Sequence, residues 1–228
     1  MKCLILAGGF GTRLYPLTLS RAKALLEYKG KPLLSHLVDR IPPDMDILVA
    51  CNRKFEADFH HWQKGIGRPV EIGVEDVWTE EQMKGACGSL DFWIDQRNIT
   101  EDLLVIAGDN YFEFDLAEFI ASYNGQNPLV AVYDLGDKSK ATGFGVVSLA
   151  GSRIVEFEEK PAQPKSSLVA IACYLLPSQV FPQLHSFSLR GGRDNLGSFI
   201  AYLIERQEVH AYPFTGFWAD IGSVEDLA

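Results

Sequence analysis

The chain has 228 residues, 47% of them hydrophobic, and its 21 Lys and Arg against 30 Asp and Glu give a formal net charge of −9. That length is enough for one α/β domain burying about 70–75% of its unfolded surface. The acidic balance argues against general nucleic-acid or anionic-membrane binding, so any anionic substrate must be held by local cations.

In chain order, apolar runs of strand length at residues 3–6, 47–50, 70–74 and 103–107 alternate with helical patterns at 33–41, 55–63, 88–96 and 116–123. This alternation predicts a Rossmann-like, doubly wound α/β fold, with a mainly parallel sheet and helices on both faces. Leu103-Leu104-Val105-Ile106-Ala107 is apolar throughout, as a strand buried on both faces should be. Ligands of such sheets sit beyond the carboxyl ends of the strands, which places Asp109 and the loop after Leu6 on one edge of one crevice.

The second half changes character. Strand-like runs at 129–133, 145–149, 153–158, 169–176 and 209–214 are interrupted by helical segments at 178–187 and 195–206, and Ala150-Gly151-Ser152 reads as a hairpin turn. No Pro/Gly/Ser-rich linker separates the halves. The expectation is one domain over 1–228, made of halves at about 1–125 and 126–228, with the second a β-rich lobe inserted on the same sheet. Asp194-Asn195 reads as a helix cap before Leu196, and Ser223-Val224-Glu225-Asp226 as the opening of a capped helix.

Cys3, Cys51, Cys87 and Cys173 form neither a Cys-x-x-Cys pair nor a closely spaced disulfide frame. There is no signal-peptide pattern, and no apolar run approaches about 18 residues. A soluble, cytoplasmic protein is expected. His60 and His61 are adjacent on a helical pattern and face different directions, while His36, His185 and His210 lack companions at ligand spacing, so no histidine metal site is expected.

The most informative segment is Leu6-Ala7-Gly8-Gly9-Phe10-Gly11-Thr12-Arg13-Leu14, which directly follows the first strand and reads as a phosphate loop. Gly8, Gly9 and Gly11 can take positive φ and let backbone N–H groups approach an anion, while Arg13 adds a fixed fork of donors. A Walker-type loop is excluded because Arg13 and Leu14 stand where Gly-Lys-Ser/Thr is required. A dinucleotide fingerprint starting at Gly9 is excluded by Leu14 and by acids at Glu27 and Asp39, one too early and one too late.

The loop resembles the signature of the sugar-nucleotidyltransferases, which join a nucleoside triphosphate to a sugar 1-phosphate. The likeness continues through Arg21-Ala22-Lys23-Ala24-Leu25-Leu26, with Ala22 where many members carry proline. It goes on through Gly108-Asp109-Asn110, Gly143-Phe144-Gly145-Val146-Val147, Glu158-Glu159-Lys160-Pro161 and Gly216-Phe217-Trp218-Ala219-Asp220-Ile221-Gly222. These blocks stand in family order over nearly the whole chain.

The resemblance implies a GT-A-like nucleotidyltransferase fold, a nucleotide-binding first half and a sugar-phosphate-binding second half. It implies a reaction in which a sugar-phosphate oxygen attacks the nucleotide α-phosphorus and pyrophosphate leaves. Such a displacement relies on cations, positioning and a divalent metal. Asp109 and Asp220 resemble the carboxylate pair that holds Mg²⁺. Arg13, Lys23 and Lys160 are the implied catalytic cations: Arg13 on the departing β- and γ-phosphates, Lys23 on the phosphates at the reacting centre, Lys160 on the sugar 1-phosphate. Glu159 would accept from sugar hydroxyls, beside the backbone of Gly145 and Ala170. Leu6, Ala7, Gly8, Gly9, Gly11, Thr12, Gly85 and Asp109 would line the nucleotide.

The resemblance points toward dTTP or UTP and glucose 1-phosphate. The base position stays open, because Glu80 stands where many members place glutamine, with Gln82 nearby. A carboxylate accepts and cannot donate, which suits cytosine or guanine better than thymine. GTP- or CTP-dependent transfer to heptose or mannose 1-phosphate or phosphocholine is thus an alternative, as is a non-catalytic nucleotide-sugar-binding subunit. Assembly, including a homo-oligomer, is undetermined.

Overall fold

A computed structural model of the chain describes residues 1–192, 195–223 and 225–227. Asp194 of the expected cap and Val224 of the expected final helix lie outside them.

The first half contains β1 (Lys2–Leu6), the small β2 (Glu27–Tyr28) and β3 (Lys31–Pro32), α1 (Leu33–Arg40), β4 (Ile47–Asn52), α2 (Glu56–Gln63) and β5 (Glu71–Glu75). It continues through α3 (Gly85–Gln96), β6 (Leu103–Ala107), β7 (Asn110–Phe112) and α4 (Leu116–Ala121). The second half contains β8 (Leu129–Asp134), β9 (Gly145–Ala150), β10 (Arg153–Glu159), β11 (Leu168–Leu176), α5 (Phe181–Leu189), α6 (Leu196–Ile204), β12 (His210–Phe214) and β13 (Trp218–Asp220).

Nine strands form one sheet in the order β5-β4-β1-β6-β11-β8-β12-β10-β9. Its first four strands are parallel. Beyond β6 the sheet is mixed: β11 is antiparallel to β6 and β8, β12 runs parallel to β8, and β10 is antiparallel to β12 and β9. The second half therefore extends the same sheet, and it does so largely with antiparallel neighbours.

The continuous apolar runs follow from burial on both faces. Cys3 and Ile5 of β1 and Leu104 and Ile106 of β6 point to one core with α1, α2 and α4, through Leu37, Phe59 and Phe119. Leu4, Leu103 and Val105 point to the other, against Leu90 and Trp93 of α3, Leu184 of α5 and Phe199 and Leu203 of α6. Period-two alternation of strand side chains distributes each run between the two layers.

Two features position the site. First, β11 changes partner along its length: Val169 and Ala170 pair with β9, whereas Cys173 to Leu176 pair with β6. The switch falls at a register break between Ala170 and Tyr174, where Ala172 takes φ +53°. Such a bulge kinks the strand and opens a gap between the end of β6 and the start of β9. Second, β7 and β13 form a separate antiparallel ribbon with Asp220 opposite Asn110. The sequence patterns do not anticipate this ribbon.

Candidate active site

The gap between β6 and β9 is the floor of a cleft of about 590 Å³. Its first wall is the loop after β1. The entry to the loop is fixed by backbone bonds, Ala7 N donating to Ala50 O at 2.8 Å and Gly108 N to Leu6 O at 2.9 Å. Buried Asn52 donates to Gly8 O at 3.0 Å, and Thr18 Oγ1 donates to Gly11 O at 2.7 Å.

Of the three loop glycines only Gly11 uses positive φ, at +62°, which corrects the sequence expectation for Gly8 and Gly9. Their contribution is space: a β-carbon at Gly9 would meet nothing within 4 Å, so the backbone there lies open to a ligand. At Gly11 the neighbours are close, Lys23 Cβ and Thr18 Cγ2 each 3.1 Å from where a β-carbon would stand. Thr12 opens a single 3₁₀ turn, Thr12–Leu14, that carries Arg13.

Leu6, Gly8, Gly9, Arg13 and Gly85 line the cleft, as do Asp109 and Asp220. Across from them Gly145, Glu159, Lys160 and Ala170 line the opposite side. Four residues expected at the site are not in the lining: Ala7 is buried, Gly11 and Thr12 are half-buried elsewhere in the loop, and Lys23 reaches the cleft only through its partner Asp109.

The two aspartates meet because the β7–β13 ribbon joins the end of β6 to the far end of the chain. Ile221 N donates to Asp109 O at 3.0 Å. Inside the ribbon Trp218 Nε1 donates to Asn110 Oδ1 at 2.7 Å, and Asn110 Nδ2 to Ala107 O at 3.2 Å. Burial and then the Asp109 carboxylate raise the Asp220 carboxyl to about 6, opposed by Lys23 and Arg13. Asp220 Oδ1 is buried and has no hydrogen-bond partner among the described residues.

An orphaned carboxylate oxygen beside a second carboxylate fits a hard divalent cation, since Mg²⁺ takes one or two carboxylates together with phosphate oxygens and water. No group of three His, Cys, Asp or Glu that could hold a metal occurs among the described residues. Lys23 Nζ donates to Asp109 Oδ2 at 2.8 Å, with the lysine side chain 12% exposed. Cys51 also lines the cleft, but burial and nearby Glu56 and Glu75 push its thiol up to about 12, so it offers no thiolate.

On the opposite wall Lys160 takes φ +46° just after β10, with its N–H donated to Phe144 O at 2.9 Å. Pro161 follows and limits the turn further. Glu159 lies between two glycines, its Oε2 standing 3.3 Å from where a β-carbon of Gly145 would be and 2.3 Å from that of Gly197. Gly197 was not anticipated as a site residue. It belongs to the first turn of α6, whose cap Asn195 Oδ1 accepts from Ser198 N at 2.7 Å.

The far end of the cleft differs from the sequence reading in the start of its helix and in its carboxylates. Gly85, at φ +73°, begins α3 three residues earlier than expected, and Glu80 lines the cleft. Gln82 does not: its Oε1 accepts from Trp78 N at 2.7 Å and Thr79 N at 3.2 Å, as the closing residue of a capping box. Sequence reasoning also missed Glu75, a 7% exposed carboxylate at the end of β5 that lines the cleft. Its Oε1 accepts from Trp93 Nε1 at 3.0 Å and from Ser89 Oγ, and Lys84 Nζ stands 3.5 Å from Oε2. An acid ending a strand-like run carries no signal that α3 will close over it.

The chain belongs to the nucleotidyl transferase family, which it matches over residues 2–228. One similar protein, from Sulfolobus acidocaldarius and assigned as a mannose-1-phosphate guanyltransferase, is 30% identical over 229 residues, an overlap of 99% of this chain and 61% of that protein. The chain thus spans about three fifths of that relative's length. A solved structure from Bacillus anthracis, assigned as a glucose-1-phosphate thymidylyltransferase and holding sucrose, has a TM-score of 0.87 at 28% identity, covering 100% of this chain and 92% of the other. A UDP-glucose pyrophosphorylase solved with UDP-glucose shares the fold, with a TM-score of 0.82 at 22% identity over 99% of this chain and 95% of its own. The architecture is accordingly the expected Rossmann-like, GT-A-like α/β fold. No helix among the described residues is long and apolar enough to cross a membrane.

Proposed function

We propose that this chain transfers a nucleotidyl group from a nucleoside triphosphate to a sugar 1-phosphate, with release of pyrophosphate. The observation that carries this reading is the single cleft that joins an open glycine loop, Arg13 and a pair of aspartates on one side to Lys160 and Glu159 on the other. Several phosphates must be brought together there, and that requires positioned positive charge more than covalent chemistry. Mg²⁺, held by Asp109 and Asp220, would supply charge neutralisation at the reacting phosphate. Arg13, at the tip of its short turn, binds the β- and γ-phosphates that depart. Lys160, fixed by its bond to Phe144 O and by Pro161, binds the phosphate of the sugar. Glu159 accepts from sugar hydroxyls and orients the ring.

For the base, two readings stand. The likeness to thymidylyl transferases favours dTTP or UTP, with glucose 1-phosphate as acceptor. Glu75 and Glu80 both line the cleft and favour GTP or CTP, since guanine offers two adjacent donors to a carboxylate where thymine offers one donor between two acceptors. The resemblance to a guanyltransferase agrees with that second reading. Pyrophosphate release from a panel of four nucleoside triphosphates, each with glucose, mannose and heptose 1-phosphates, tests both. Release with a GTP preference supports transfer and the carboxylate reading, a dTTP preference returns the base to the first reading, and nucleotide-sugar binding without release anywhere supports a non-catalytic subunit.

A further inference from the structure

Beside the cleft, Lys23 forms an ion pair with one of the two proposed metal ligands. Lys23 Nζ lies 2.8 Å from Asp109 Oδ2 and is largely covered by protein. Its stem is packed on the phosphate loop, for a β-carbon at Gly11 would stand 3.1 Å from Lys23 Cβ and 3.4 Å from its Cδ. The fold therefore holds this ammonium against Asp109, one half of the carboxylate pair, while the orphaned oxygen of Asp220 is the other. Arg13 is the second cation acting on Asp220.

Resting on the two-aspartate metal site proposed above, we infer that Lys23 is a placeholder cation that makes the site accept metal together with a polyphosphate and reject free metal. A divalent ion arriving alone would meet the ammonium within a few ångströms. Either the two cations repel each other across Asp109, or Lys23 is displaced and left covered without an acceptor. Polyphosphate oxygens change that balance, because they offer the freed ammonium a new anionic partner. Lys23 thereby couples metal and phosphate binding, a linkage that must be reciprocal.

The test is calorimetric titration of the nucleotide-free protein with Mn²⁺ alone, and with Mn²⁺ in the presence of inorganic tripolyphosphate, which removes the base from the question. Lys23→Met should bind free Mn²⁺ tighter than wild type by on the order of tenfold or more, with most of the tripolyphosphate dependence lost. Lys23→Arg, which restores a cation, should return free-metal binding to the weak wild-type level. Lys23→Gln serves as the second neutral variant should Lys23→Met fold poorly, and circular dichroism checks each. Unchanged or weaker free Mn²⁺ binding in the folded neutral variants overturns the inference. Asp109→Asn separates this failure from failure of the metal site: if it abolishes Mn²⁺ binding, the site stands and only the lysine's role falls, and if binding persists in Asp109→Asn, both fall.

Discussion

At the scale of single residues, Asp220 carries a cost that the proposed reaction accounts for. Its carboxyl is raised to about 6 by burial and by Asp109. A raised carboxyl binds its proton more tightly in the folded state, so the metal-free protein loses stability as pH rises from about 4 through 6, and the full cost is present above that range. Asp220→Asn should therefore raise the stability of the metal-free protein at neutral pH by about 1–2 kcal/mol, less than the pKa shift alone implies because the amide must also be desolvated. Thermal melts in EDTA at pH 5 and pH 7.5 check this: the gain should appear mainly at the higher pH, and, in EDTA-free buffer, Mg²⁺ added together with tripolyphosphate should stabilise the wild type more than the variant.

The two phosphate-binding cations lie on opposite walls and should fail differently. Arg13→Ala is expected to impair the nucleoside triphosphate step, while Lys160→Ala raises KM for the sugar phosphate and lowers kcat/KM. Initial-rate kinetics with each substrate varied in turn decide the point; both variants affecting the sugar phosphate alone would contradict the division. Glu75→Gln places an amide at the far end of the cleft, with its carbonyl able to accept from Ser89 and Trp93. The ratio of kcat/KM for dTTP or UTP over GTP or CTP should rise roughly ten- to hundredfold, the worth of a buried hydrogen bond gained or lost. An unchanged ratio removes Glu75 from base selection.

At the scale of elements, the ribbon of β7 and β13 brings Asp220 to Asp109, and its buried link is the Trp218–Asn110 hydrogen bond. Trp218→Phe keeps an aromatic ring against Phe144 but leaves Asn110 Oδ1 buried and unpaired, at a cost of about 1–3 kcal/mol. We expect a lower melting temperature and a reduced stabilisation by Mg²⁺ with tripolyphosphate, whereas an intact response to that mixture would mean that the ribbon does not position Asp220. This ribbon was illegible in the sequence for a physical reason. Three residues pairing with three others, Asn-Tyr-Phe with Trp-Ala-Asp, present no run long enough to show a period.

The strands β1, β4 and β6, by contrast, were legible because burial on both faces demands an uninterrupted apolar run. The blocks around Arg13, Asp109, Lys160 and Asp220 identified residues that the fold does gather in one cleft. Glu75 and Gly197 were not identified, since their place depends on α3 and α6 packing over the sheet and not on any local pattern. Gln82 remained an open candidate because only the structure shows its side chain spent on the capping box.

At the scale of the whole molecule, the sheet uses its two halves differently. The parallel half presents strand ends and the glycine loop, and the mixed half contributes the Lys160 wall. The bulge of β11 at Ala172 separates β6 from β9 and leaves the space between the walls. The aspartate pair stands with the glycine loop on the wall facing Lys160, and the proposed transfer depends on both walls at once.

The most direct test of that account is pyrophosphate release with Mg²⁺, the preferred nucleoside triphosphate and a sugar 1-phosphate, measured for the wild type, Asp109→Asn and Asp220→Asn. The account predicts release that requires both substrates and falls by about a hundredfold or more in each variant, because each removes a charged ligand where phosphates meet. Near-wild-type release from either variant at saturating Mg²⁺ would contradict it.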